Sequence, residues 1–204
     1  MELPLEQELK VPLTAAVLIP PEAVWEPIQS IRRTHDPQFL RWMPHVTLLY
    51  PFVPAARLAE AADLLRPAAA AVAPFEIALG GFGKFTHSAQ SVTLWLRLDP
   101  IEPLAALQAR LEQAMPWCDD VSSFFGGFTP HVSVGRFQSV ADADRVAGRI
   151  AATWQPLAFQ VAEVALIARS GAPAEPFRVE QVVPLGAGAS PDTATAPPPA
   201  GGAA

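Results

Sequence analysis

Short apolar runs punctuated by prolines set the rhythm of the chain. Leu13–Ile19 is apolar and closed by Pro20–Pro21, the pattern of a buried strand. Glu22–Arg33 places Val24, Ile28 and Ile31 on one side of a helix. A polar loop with His35, Asp36 and Pro37 leads to Trp42–Met43–Pro44, and His45–Tyr50 then reads as a strand stopped by Pro51. Residues 55–66 carry Leu58, Ala61, Ala62 and Leu65 at helical spacing, with Pro67 set to end or kink the helix before the alanines resume it.

Further along, Phe75–Leu79 and Val92–Leu98 predict strands flanking a glycine-rich connection, Gly80–Gly81–Phe82–Gly83–Lys84. Asp99 is expected to cap a helix with Pro100 at its first position and Glu102 closing a capping box; its inner face is Leu104, Leu107, Leu111 and Ala114 or Met115. A loop over 116–129 ends at Pro130, which opens the strand His131–Phe137. Ser139 caps a helix with Ala143, Val146 or Ala147, Ile150 and Trp154 inside, and two late strands follow, Leu157–Ala168 and Phe177–Leu185. The reading is a mixed α+β domain over residues 1–186 with a rough two-part repeat, then a disordered tail over 187–204, whose LGAGASPDTATAPPPAGGAA has almost nothing to pack.

The repeat carries the chemistry. WMPHVTLLYPF and FTPHVSVGRF both run proline, histidine, valine, hydroxyl, hydrophobe. Side chains alternate along a strand, so His45 and Thr47 share one face, as do His131 and Ser133, with the valines turned into the core. If the halves pack about a pseudo-twofold axis, the two pairs converge on one cleft. An imidazole with pKa near 6.5 both takes and gives a proton near neutrality. One histidine could then deprotonate water or a ribose hydroxyl while the other protonates the leaving oxygen. The hydroxyls of Thr47 and Ser133 could donate to the phosphate oxygens on which charge builds. Such a scheme needs no metal and no cofactor.

Composition narrows the setting. In 204 residues the net charge is −6, which argues against a duplex-DNA binder but leaves room for a small cleft holding one phosphate. The single cysteine, Cys118, suits a reducing compartment, and neither a signal peptide nor a long apolar span is evident. A cytoplasmic monomer is the expectation. With no second cysteine and no nearby histidine, Cys118, Asp119 and Asp120 are read as neither nucleophile nor metal site.

The paired His-x-Thr/Ser-x-hydrophobe strands resemble the two-histidine phosphoesterase superfamily, which includes the 2′-5′ RNA ligase-like proteins and 2′,3′-cyclic phosphodiesterases. The resemblance spans about residues 11–186. It implies a bilobal fold, two antiparallel sheets around a central cleft with helices outside. It also implies that His45 and His131 are the proton-transfer pair and that Thr47 and Ser133 orient phosphate. The substrate expected is an RNA end or small nucleotide bearing a 2′,3′-cyclic phosphate or a 2′-5′ linkage. An ADP-ribose cyclic phosphate or a 2′-5′ oligoadenylate is a further option, and a non-catalytic module holding an RNA end or nucleotide in the same cleft is the alternative.

Three further residues are candidate substrate contacts. Arg136 matches a basic residue often seen after the second motif, although strict alternation points it away from His131. Lys84 sits in Lys84–Phe85–Thr86–His87–Ser88, a stretch expected to form a lip of the cleft, where a solvated lysine is the plainer reading. Phe85 is one of several aromatics, with Phe82, Phe124, Phe125 and Phe128, of which one or two could stack on a base. His35 and His87 are read as loop histidines.

Overall fold

The first sheet grows around Thr14–Leu18 (β1), five buried residues in which even Thr14 is 0% exposed, its hydroxyl donating to the Val53 carbonyl at 2.6 Å. A computed structural model describes residues 4–124, 126–172 and 175–186. The tail expected to be disordered, 187–204, lies outside the described residues. After β1 come α1 (Trp25–His35), β2 (Val46–Leu49) and α2 (Leu58–Ala70). Then follow β3 (Phe75–Ser88), β4 (Ser91–Asp99), α3 (Glu102–Ala114), β5 (His131–Phe137) and α4 (Val140–Ala151). Three strands close the chain: β6 (Leu157–Val161), β7 (Glu163–Ala168) and β8 (Arg178–Pro184).

Two four-stranded sheets result, ordered β2-β1-β7-β8 and β5-β4-β3-β6, with every neighbouring pair antiparallel. The repeat is visible in the connections. β1-α1-β2-α2 and β4-α3-β5-α4 each run strand, helix, antiparallel neighbour, helix. In both units the histidine motif lies on the edge strand of its sheet. The first helices are exchanged: α1 packs on β5 and α3 on β2, and β2 also touches β5. A helix that leaves one lobe to cover the other ties the two edge strands together.

That exchange produces one continuous core. Val46 and Leu48 of β2 and Val132 and Val134 of β5 belong to the same buried cluster as Ile28 of α1 and Leu107 of α3. Each fully buried aliphatic side chain contributes roughly 1.5–3 kcal/mol, so this shared cluster holds the two lobes together. The opposite face of the first sheet carries a smaller cluster, Ala15, Val17, Ala165, Ile167 and Phe177, with Trp42, Met43 and Tyr50 packed on it.

Several local expectations are corrected. The glycine-rich stretch is not a connection: β3 runs straight through it for 14 residues before turning at Ala89–Gln90 into β4. Glycine inside a strand marks a close approach, and here Trp95 lies where a Cβ on Gly83 would stand, 2.3 Å from its ring atoms. Asp99 ends β4 and caps nothing; Ile101 occupies the N-cap of α3 without a side-chain hydrogen bond. Leu157–Ala168 is two strands, because the chain changes sheets at Ala162: β6 pairs with β3 and β7 with β1. Pro67 lies within α2, which continues one turn to bury Ala69. Ser139 does cap α4, accepting from the Asp142 N–H at 3.1 Å. No helix among the described residues is long and apolar enough to cross a membrane.

Candidate active site

The two imidazoles are held in the same way. His45 Nδ1 lies 2.7 Å from the Met43 carbonyl oxygen, and His131 Nδ1 lies 2.8 Å from that of Thr129. A carbonyl only accepts, so Nδ1 carries the hydrogen and donates, and the neutral ring keeps its lone pair on Nε2. Neither Nε2 has a hydrogen-bond partner among the described residues. The hydroxyls of Thr47 and Ser133 are likewise unengaged there. Thr47 stands opposite Val17 of β1, and Ser133 opposite Trp95 of β4.

His45 is clamped from behind. Trp42 stacks on its ring at 4.6 Å and 19°, and Trp42 stacks in turn on Phe177 at 3.8 Å. Arg32 of α1, 2% exposed, holds that arrangement: it donates to the Trp42 carbonyl at 2.8 Å, to Asp36 at 2.8 Å and to Gln29 at 3.0 Å. Sequence reasoning missed both residues. An arginine facing the apolar side of α1 beside Ile28 and Ile31 was the signal available.

Around His131 the setting differs. Phe85 meets its ring edge-on at 4.8 Å and 82°, and Trp95 lies at 5.8 Å. Both come from the β3–β4 hairpin, so Phe85 stands beside the histidine as a strand residue and not as part of a loop lip. Lys84 does not join it. One position away along β3, it faces the opposite side of the sheet and pairs with Asp144 of α4 at 2.5 Å.

Arg136 is the reverse case. β5 carries a bulge: Leu94 pairs with Gly135 but Trp95 pairs with Ser133, leaving Val134 as an extra residue. The bulge shifts the alternation by one, so Arg136 returns to the face of His131 and Ser133, opposite Thr93, and its guanidinium donates to the Ser91 hydroxyl at 3.0 Å. The expectation that it points away assumed an unbroken pleat.

A cavity of about 210 Å³ opens between the two edge strands. It is lined by His45 from the first lobe, Ser133, Thr93 and Arg136 from the second, and Arg32 and Asp36 from the end of α1. One histidine and the hydroxyl of the other motif thus line it from opposite lobes, whereas His131 and Thr47 are not among its lining residues. Burial pushes the His45 imidazole down to about 4, against the help of its Met43 hydrogen bond, and the charges of Arg32 and His131 push the same way. Burial also lowers His131. Both rings are therefore predominantly neutral at pH 7 before an anion arrives.

The remaining candidates fall elsewhere. His35 ends α1, with its Cβ where a side chain on Gly135 would stand and its ring 5.3 Å from Phe137. His87 is exposed, its Nε2 3.0 Å from the Thr93 hydroxyl. Phe82 packs on Trp154 across the sheet, Phe128 packs on the main core, Phe124 is exposed, and Phe125 lies outside the described residues. Cys118 is buried, and burial pushes its thiol up to about 11. No group of three or more His, Cys, Asp or Glu able to hold a metal occurs among the described residues.

Two edge strands meeting across a shared core, each delivering an imidazole and a hydroxyl, make this a two-histidine phosphoesterase in architecture. Residues 20–173 match the model of the 2′-5′ RNA ligase superfamily, and the chain belongs to that family. It is similar to the apo form of Escherichia coli LigT, with a TM-score of 0.56 at 20% identity over 85% of this chain and 97% of that one. The TT0787 protein of Thermus thermophilus superposes with a TM-score of 0.57 at 19% identity, covering 86% of this chain and 100% of that one. At such identities these likenesses establish the fold. A Geobacillus kaustophilus protein provisionally named a phosphoesterase is 29% identical over 126 residues, 59% of this chain. The match takes in 66% of that relative's length, just under two thirds.

Proposed function

We propose that this phosphoesterase opens 2′,3′-cyclic phosphodiesters at RNA ends or on nucleotides by paired acid–base catalysis, without a metal. The observation that carries the reading is the matched pair of imidazoles, each with Nδ1–H fixed on a backbone carbonyl and Nε2 left free. One Nε2 takes a proton from water as its oxygen attacks phosphorus; the other ring, protonated, gives its proton to the departing ribose oxygen. The product is a phosphomonoester, and the two rings have exchanged protonation states. Thr47 and Ser133 donate to the non-bridging oxygens, and Arg136 adds a positive charge beside Ser133. A 2′-5′ diester fits the same chemistry with a ribose hydroxyl in place of water.

The family supports a phosphoester substrate. Structures of E. coli LigT complexed with 3′-AMP, with phosphate and with ATP support a small nucleotide in the cleft. The test is turnover of nucleoside 2′,3′-cyclic phosphates and short RNAs with cyclic phosphate ends in excess chelator. Loss of turnover in both His45→Ala and His131→Ala, with no effect of chelator, is the expected result. Tight binding without turnover would replace it with a non-catalytic module for RNA ends.

A further inference from the structure

We propose that Trp95, flanked by Phe85 and Arg97, forms a stacking subsite for the nucleobase joined to the reacting phosphodiester on the His131 side of the cleft. This rests on the phosphodiesterase reading and names the part of the substrate that reading leaves open.

Cross-strand register puts the three residues on the face of the second sheet that holds the histidine. Gly81, Arg97 and His131 lie in one row across β3, β4 and β5. Gly83, Trp95 and Ser133 form the next, and Phe85, Thr93 and Arg136 the one after. The two glycines let the β4 side chains lie flat. The indole of Trp95 occupies the space over Gly83, and the Arg97 Cδ is 3.9 Å from where a Cβ on Gly81 would stand. Phe85 leans over the indole at 5.1 Å and 32°. The result is a shallow floor, aromatic with a guanidinium beside it, next to His131.

Two observations separate this floor from ordinary packing. Trp95 and Phe85 are partly exposed and belong to neither hydrophobic cluster, whereas Leu94 and Leu96 on either side of Trp95 are buried in the main core. Arg97, in turn, is exposed beside the ring with no acidic or hydrogen-bonding partner among the described residues. A flat ring with an unengaged guanidinium at its side recognises a planar heteroaromatic group carried on a polyanion. A nucleoside phosphodiester has that chemistry; a sugar or glycerol phosphodiester lacks the ring.

The experiment compares adenosine 2′,3′-cyclic phosphate with 1-O-methylribose 2′,3′-cyclic phosphate, which keeps the cyclic diester and removes the base. Wild-type protein is expected to favour the base-bearing substrate in kcat/KM by roughly ten- to hundredfold, the range one base stacked on one ring provides. Trp95→Leu should shrink the ratio of the two kcat/KM values to within about threefold, and Trp95→Phe should restore most of it. Equal kcat/KM for the two substrates in the wild type would overturn the subsite and leave the diesterase standing. So would a Trp95→Leu protein that loses both activities in equal proportion while Trp95→Phe does the same. If neither substrate turns over, the diesterase reading falls, and calorimetric affinities for 3′-AMP and 1-O-methylribose 3-phosphate decide the stacking by themselves: tighter 3′-AMP binding that Trp95→Leu removes supports it, equal affinities overturn it.

Discussion

Trp42 lies almost parallel to His45 at 4.6 Å, with its carbonyl held by the buried guanidinium of Arg32. The stack keeps the imidazole from turning while Met43 fixes its Nδ1. Trp42→Ala should therefore lower kcat by about 10- to 100-fold, the scale of a mispositioned proton-transfer group. Steady-state kinetics beside thermal unfolding checks this; a kcat within twofold of wild type would show that the stack does not position the ring.

Arg32 and Asp36 form a buried pair, 2% and 10% exposed. Removing one partner of such a pair strands the other, so Arg32→Ala should cost about 3–5 kcal/mol in denaturant unfolding. Arg32→Lys should recover little, because a single ammonium cannot reach Asp36, Gln29 and the Trp42 carbonyl in the fork geometry of a guanidinium. Full stability in Arg32→Lys would contradict that.

The pH dependence follows from burial. His45 is pushed from 6.5 to about 4 in the folded protein, so between those values the unfolded chain binds the proton and the folded one does not. Stability should be complete above pH 6.5 and fall as pH drops towards 4, by on the order of 1–3 kcal/mol. His45→Gln should flatten that part of the curve. Because burial lowers both imidazoles, kcat/KM should be bell-shaped with its optimum on the acid side of neutrality. A flat profile from about pH 5 to 9 would count against paired histidines.

Gly135 lies where β5 meets the end of α1. A Cβ there would stand 2.8 Å from the His35 Cβ, 2.9 Å from the Phe137 ring and 3.3 Å from the His35 carbonyl oxygen. Backbone cannot yield as a flexible side chain does, so Gly135→Ala should push α1 from the strand. The expected cost is about 1–3 kcal/mol, with a loss of activity because Asp36 and Arg32 line the cavity. Unchanged stability by thermal melting would show that the helix end shifts freely.

Arg136 and Lys84 divide along the two faces of one sheet. Arg136→Ala should lower kcat/KM by about tenfold or more through lost phosphate contact. Lys84→Ala, breaking a surface pair with Asp144, should cost no more than about 1 kcal/mol and leave kcat/KM within about twofold. The reverse ranking in a simple kinetic comparison would overturn the assignment of faces.

The strands and helices were legible wherever period and punctuation agreed. Pro-His-Val-hydroxyl on an apolar background announced both edge strands, and Ser139 announced the start of α4. The errors share a cause. Glycines in β3 read as a connection because glycine usually breaks a strand, yet here they make room for Trp95. Arg136 read as facing away because a bulge leaves no mark in a list of side chains. Leu157–Ala168 read as one strand because an apolar run does not disclose that its halves join different sheets.

Alternation and composition belong to neighbours along the chain, and from them came the two histidines, their hydroxyls and the α+β class. Contacts between distant segments obey no such local period. That α1 crosses to cover β5, that Arg32 and Trp42 clamp one imidazole, and that Trp95 and Phe85 flank the other all depend on which surfaces meet when the lobes close over a common core. Packing is decided by shape and volume summed over the whole molecule, and only the folded chain expresses that sum.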